Sequence, residues 1–172
     1  VNVINCSYCS TPAMFMTTVD LDAKASVQIT ASHHPFNRNG LKFFTTDGGL
    51  NPEDISTIIK NAVLPYERTD FAADVTPIDF MAIYSRRLRK MICEGVKADD
   101  YEKPLKGYKI TVDAGNGVGG FYATEVLAPL GADISASQFL EKDGTFPNHI
   151  PNPENKEAMA SICKAVKESK SD

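Results

Sequence analysis

No run of about 18 apolar residues exists in this chain, so no membrane-spanning helix is expected. Basic charge is not in excess either. Lysine and arginine number 18 against 22 acidic residues, a net charge of −4, which argues against a nucleic-acid or membrane surface. One short basic cluster, Arg86, Arg87, Arg89 and Lys90, sits in a helical pattern. It reads as a solvated helix face, with an anion contact as the alternative. There is no secretory signal and no initiator Met. The chain opens on Val1-Asn2-Val3-Ile4, a strand pattern, so it is expected to be cut from inside a longer, cytoplasmic protein. Cysteines are few: Cys6, Cys9, Cys93 and Cys163. Cys6 and Cys9 have C-x-x-C spacing, but no second pair or nearby His completes a zinc site. Reduced cytosolic thiols are the simpler reading, with a redox pair as the alternative. No repeat of fixed period and no low-complexity segment is visible.

What is present is an ordinary globular composition, 42% hydrophobic and 23% charged, in 172 residues, enough for a sizeable core. Short apolar runs alternate with amphipathic stretches, as in an α/β protein. Strands are expected at 1–5, 26–30 and 41–45. Ser10-Thr11-Pro12 and Asn51-Pro52-Glu53-Asp54 are helix starts, a cap followed by Pro in the first turn. In the second helix Ile55, Ile58, Ile59 and Ala62 form an apolar stripe. Residues 63–76 read as irregular. Residues 77–93 read as a helix with Ile78, Met81, Tyr84, Leu88, Met91 and Ile92 near one face. The charged stretch 97–106 reads as a linker, with a domain boundary near residue 100. The pattern then restarts: a strand at 108–113, a glycine loop at 115–120, a helix at 121–130 closed by Gly131, a strand at 133–136, a proline-rich loop and a helix at 155–168. Two strands rarely make an independent domain, so a further strand is expected after Asp172.

The densest chemistry lies in residues 30–42, Thr-Ala-Ser-His-His-Pro-Phe-Asn-Arg-Asn-Gly-Leu-Lys. A short strand delivers Ser32 to a loop with two imidazoles, a guanidinium, two amides and an ammonium group. Pro35 fixes the local backbone, and Gly40 allows a close backbone approach. A serine hydroxyl is a weak nucleophile until something activates it. Ala31 and His33 flank it here, so the G-x-S-x-G elbow of a hydrolase is absent. In an extended segment His33 and Ser32 would also point apart. Phosphoryl transfer suits the composition better, because it depends on positioning and charge stabilisation by several donors and cations. Arg38, Lys42, Asn37, Asn39 and the loop amides are candidates for that work.

T-A-S-H-x-P followed by N-G-x-K resembles the phosphoserine loop of the α-D-phosphohexomutase superfamily, which includes phosphoglucomutases and phosphomannomutases. Three more segments are similar to that family in order and spacing: Ser10-Thr11-Pro12 with its helix, the stretch from Val112 to Gly120, and the stretch from Asp143 to Pro153. The resemblance implies an α/β fold, mixed sheets with helices on both faces. It also implies two consecutive partial domains of a four-domain enzyme, 1–100 and 101–172. Ser32 would cycle between hydroxyl and phosphoserine, and its phosphoryl oxygen would help bind Mg2+. Lys42 matches the lysine near the transferring phosphate, and His33 the histidine that follows the serine. His34 stands where the family often has Asn. The implied reaction interconverts hexose 1-phosphate and hexose 6-phosphate through a bisphosphorylated sugar. A phosphosugar is then the partner, and an intramolecular phosphotransferase the enzyme class.

Two other readings compete. Gly115, Gly117 and Gly120 fit G-x-G-x-x-G between a strand and a helix, with Glu141 about twenty residues on, the context of a dinucleotide-binding oxidoreductase. Asp113 before the loop and the D-G-x-F-P segment after it fit that reading poorly. A tight turn and close helix packing explain the glycines instead. His149 reads as a packed loop histidine or a domain-interface contact. A non-catalytic interaction domain is the third class. The family's metal loop, D-G-D-x-D-R, is missing: Asp20-Leu21-Asp22, Asp99-Asp100 and Asp143-Gly144 each lack the other acids. The carboxylate ligands are therefore expected outside these residues, and the fragment alone is expected to be inactive.

Overall fold

Prolines and capping side chains set most of the helix starts. The computed structural model describes residues 1–66 and 73–172, so part of the irregular stretch expected at 63–76 lies outside the described residues. The chain divides into two compact units, Val1–Ile29 with Leu41–Phe80, and Thr30–Gly40 with Met81–Asp172. The chain passes between the units at 29/30, 40/41 and 80/81.

In the first unit, β1 (Val3–Asn5) pairs in parallel with β5 (Val75–Pro77). Helix α1 (Thr11–Asp20) begins where the Ser10 hydroxyl accepts from the Ala13 N–H, with Pro12 in the first turn. Ala13 and Thr18 are fully buried, and the Thr18 hydroxyl is satisfied by the Phe15 carbonyl at 2.7 Å. β2 (Ser26–Ile29), β3 (Leu41–Thr45) and β4 (Gly48–Gly49) form an antiparallel sheet. Phe44 of β3 meets Phe15 of α1 with ring centroids 5.9 Å apart. On the same face the Ser26 hydroxyl donates to the Met14 carbonyl. Helix α2 (Pro52–Ala62) is capped by the Asn51 side chain, which accepts from the Asp54 N–H at 2.9 Å. Its apolar stripe exists, but no residue of α2 is buried and Ile59 is 62% exposed.

The second unit is built on α3 (Phe80–Val96). Cys93, Val126 and Leu130 form its core, with Leu88, Ile92, Leu105 and Phe121 packed around them. Of the expected α3 face, Met91 is exposed. The strands expected at 108–113 and 133–136 shrink to two parallel bridges, Lys109↔Asp133 and Asp113↔Gln138. A turn closed by Ser137 N–H to the Ile134 carbonyl lifts the residues between them out of the ladder. The Ser137 hydroxyl then accepts from the Val112 N–H in place of a backbone partner. On the other flank of this segment the Asp172 N–H donates to the Lys109 carbonyl at 2.9 Å.

The helix expected at 121–130 is also altered. A 3₁₀ turn (Val118–Gly120) leads into a π-helical stretch (Tyr122–Leu127), with Ala128 N–H bonded to the Ala123 carbonyl. Pro129 is the physical reason. It has no N–H to give the Glu125 carbonyl and crowds that turn. Arg89 of the basic cluster donates to the Glu125 carbonyl instead, so this arginine does structural work. Helix α4 (Lys156–Ser169) is capped by Asn155, which accepts from the N–H groups of Glu157 and Ala158. Among the described residues no helix is long and apolar enough to cross a membrane.

Candidate functional site

At its neck the serine loop is closed by Thr30 N–H donating to the Gly40 carbonyl at 2.9 Å. A β-carbon on residue 40 would lie 2.8 Å from the Thr30 oxygen, which is why glycine stands there. Ser32 has φ +58°, the left-handed region that non-glycine residues enter only at a cost. Its N–H donates to the Thr30 hydroxyl at 3.1 Å. That conformation corrects the extended geometry expected from sequence. Instead of pointing apart, Ser32 Oγ and His33 Nδ1 lie 3.2 Å from each other. The His33 ring stacks on His34, centroids 5.3 Å apart. Backbone turns close at His34 N–H to the Ala31 carbonyl and Arg38 N–H to the Pro35 carbonyl, both 3.0 Å. Residues 32–39 are exposed. No hydrogen bond or ion pair ties the side chains of Asn37, Arg38 or Asn39 to another described residue. Lys42 stands on β3, opposite Gln28 of β2, and is exposed.

The glycine loop is organised in the opposite way. The side chains of Asp113 and His149 are only 11% and 9% exposed. Asp113 accepts from the Gly115 N–H at 2.9 Å, from Gln138 Nε2 at 2.8 Å and from His149 Nε2 at 3.0 Å. His149 Nδ1 faces the Ile150 carbonyl at 2.9 Å. Both partners of the ring are acceptors, so satisfying both requires a proton on each nitrogen. Burial alone pulls its pKa down, but the Ile150 carbonyl and the Asp113 carboxylate outweigh that and hold it above the ordinary histidine value. Asn116 completes the mesh. It takes the Asn148 amide on Oδ1 at 2.7 Å and gives its own amide to the Glu141 carbonyl at 2.9 Å.

These contacts account for the glycines. A β-carbon at Gly115 would sit 3.0 Å from His149 Cε1, and one at Gly120 would collide with the Leu140 oxygen at 2.2 Å. The space a dinucleotide would need over both residues is filled by the chain's own 139–149 segment. Glu141 contributes its backbone, and its side chain is exposed.

The sequence matches the family model described as phosphoglucomutase/phosphomannomutase, alpha/beta/alpha domain I, over residues 1–70, and that of domain II over residues 84–172. The chain belongs to the phosphoglucomutase/phosphomannomutase family. Among relatives, a Neisseria meningitidis phosphoglucomutase is 30% identical over 97% of this chain and 34% of its own length. A Pseudomonas aeruginosa phosphomannomutase/phosphoglucomutase is 30% identical over 94% of this chain and 32% of its own. Phosphohexose mutases of Xanthomonas campestris are 33% identical over 96% of this chain and 36% of theirs. The chain thus spans about a third of the length of the curated relatives it matches. A crystal structure of a phosphoglucomutase/phosphomannomutase family protein from Burkholderia thailandensis shares the fold, with a TM-score of 0.79 at 23% identity, covering all of this chain and 37% of that one. These likenesses support the mutase reading over the oxidoreductase one.

Family membership leaves the metal question to the residues themselves. Among the described residues no three His, Cys, Asp or Glu side chains converge on a point that holds a metal ion. They do not form a magnesium site on their own. Cys6 and Cys9 are buried and unpaired, and burial, with Cys6 nearby, pushes the Cys9 thiol up to about 12. A thiol so protonated is a poor redox nucleophile. Asp143 belongs to a turn: its carboxylate accepts from the Thr145 hydroxyl and N–H, which hold its pKa below the usual range. Sequence reasoning missed Asp113 and Asn116 as hubs. The available signal was a carboxylate at the strand end and an amide inside the glycine run.

Proposed function

We propose that this chain carries the phosphoserine loop of a phosphohexomutase that interconverts hexose 1-phosphate and hexose 6-phosphate. The observation that supports it most is Ser32 itself. It occupies the family's serine position, exposed, in a left-handed conformation that holds Oγ 3.2 Å from an imidazole nitrogen. Strained backbone at such a position is a common mark of a working site. In the first half-step the Oγ–P bond of phosphorylated Ser32 breaks and a P–O bond to the sugar hydroxyl forms. The sugar hydroxyl gives its proton to solvent water as it attacks, and Ser32 Oγ takes one from His33 as it leaves. The second half-step runs the same changes backwards with the sugar's other phosphate, so protons and phosphoryl groups balance. Lys42, the family loop's lysine, supplies positive charge to the transferring group. Magnesium is the implied ion, with phosphorylated Ser32 as one oxygen ligand. The reaction is placed in the cytoplasm, in keeping with the unpaired buried thiols.

The test uses the complete protein. Incubation with a hexose bisphosphate should add the mass of one phosphoryl group, and Ser32→Ala should abolish that addition. Turnover in the variant should fall at least about 1,000-fold. A Ser32→Ala enzyme that keeps both the adduct and the activity would sink the proposal.

A further inference from the structure

Among the described residues of the first unit, one side-chain polar atom is buried and unsatisfied. Gln28 Oε1 has no hydrogen-bond partner among the described residues, while its Nε2 donates to the Ile29 carbonyl at 3.2 Å. Buried acceptors are almost always paired, because leaving one bare forfeits its hydration without return. The antiparallel register sets Gln28 directly opposite Lys42. Side chains at such positions leave the same face of the sheet, with β-carbons about 5 Å apart. Lys42 is exposed, and no hydrogen bond or ion pair ties it to another described residue. Its ammonium has three donors and no acceptor, and Gln28 Oε1 accepts only. The flexible four-carbon stem of a lysine spans that separation.

We infer that Gln28 is a positioning residue for Lys42: its buried Oε1 takes one ammonium proton and aims the remaining two at the anion that the lysine serves. A charged donor makes this a stronger bond than one between neutral groups. The position is also protected from water on the acceptor side, so the bond is not diluted by solvent. This inference rests on the mutase reading of the loop.

The complete enzyme provides the test, with Gln28→Met and Gln28→Glu beside Lys42→Met and Ser32→Ala. Gln28→Met keeps the volume and removes the acceptor. It should lower kcat roughly tenfold with little change in KM, the worth of a hydrogen bond to a charged group. Gln28→Glu keeps an oxygen acceptor at that position and should retain more of kcat than Gln28→Met does. In a Lys42→Met background, Gln28→Met should cost nothing further. If Ser32→Ala and Lys42→Met are both crippled while Gln28→Met matches the parent in kcat, the inference fails and the mutase reading stands. If Ser32→Ala remains active, the mutase reading fails and this inference with it.

Discussion

The serine loop and the glycine loop treat polar side chains in opposite ways. Around Ser32 the imidazoles, amides and guanidinium are exposed, and Ser32 Oγ lies 3.2 Å from His33 Nδ1. Around Asp113 the polar groups are buried and saturated, with one carboxylate serving a backbone N–H, an amide and an imidazole. The first arrangement leaves donors available for a ligand. The second spends them internally, and its return is shape: Gly115 and Gly120 lie against His149 and Leu140 with no room for a β-carbon. A glycine-rich motif next to a helix is therefore not evidence of an anion site when the chain itself fills the space. A polar loop is better evidence when its side chains are left unspent.

That contrast can be broken or sharpened by substitution. The largest effect on stability is expected at Asp113. Asp113→Ala removes three bonds and leaves the His149 imidazolium buried without its counter-charge, so local opening at Gly115 and Asn116 should become easier by about 3 kcal/mol. Hydrogen exchange of those two amides measures it, and unchanged protection would show that the mesh is not cooperative. A smaller effect is expected from pH. His149 has its folded-state pKa raised, so its contribution is fully present below the unfolded value of about 6.5 and is lost as pH rises through the folded value. NMR titration should place His149 above that ordinary value, and Asp113→Asn should lower it. An ordinary or depressed value in the parent protein would contradict the doubly protonated ring. The smallest effect is expected at His33. Its ring is exposed and stacks on exposed His34, so His33→Ala should change stability by less than about 0.5 kcal/mol. Its turnover should nevertheless fall roughly 100-fold if it exchanges a proton with Ser32. A thermal midpoint and a rate assay on one preparation separate the two quantities.

Local rules made much of this legible. Ser10, Asn51 and Asn155 cap helices because a short side-chain oxygen satisfies an otherwise orphaned N–H, and that chemistry needs only neighbouring residues. Gly40 was readable as a close approach for the same reason, although its partner, Thr30, was not. The helix expected at 121–130 is altered by a local rule: Pro129 frees a carbonyl and shifts the winding. The strand expected at 133–136 failed for a non-local reason, because its hydrogen bonds depend on where residues 108–114 lie. The stripe on α2 showed that an amphipathic pattern predicts a helix without guaranteeing that anything covers it.

The sequence by itself determined the family, the capped starts of α1, α2 and α4, and the choice of Ser32, His33 and Lys42 as the residues to watch. Those rest on residue types at fixed spacing, which the chain carries whether or not it is folded. Tertiary structure alone decided that Ser32 turns to meet His33, that His149 is clamped between two acceptors, and that Gln28 lies opposite Lys42 with a bare oxygen. Each depends on a dihedral angle or on groups brought together from distant positions, and spacing along a chain carries neither.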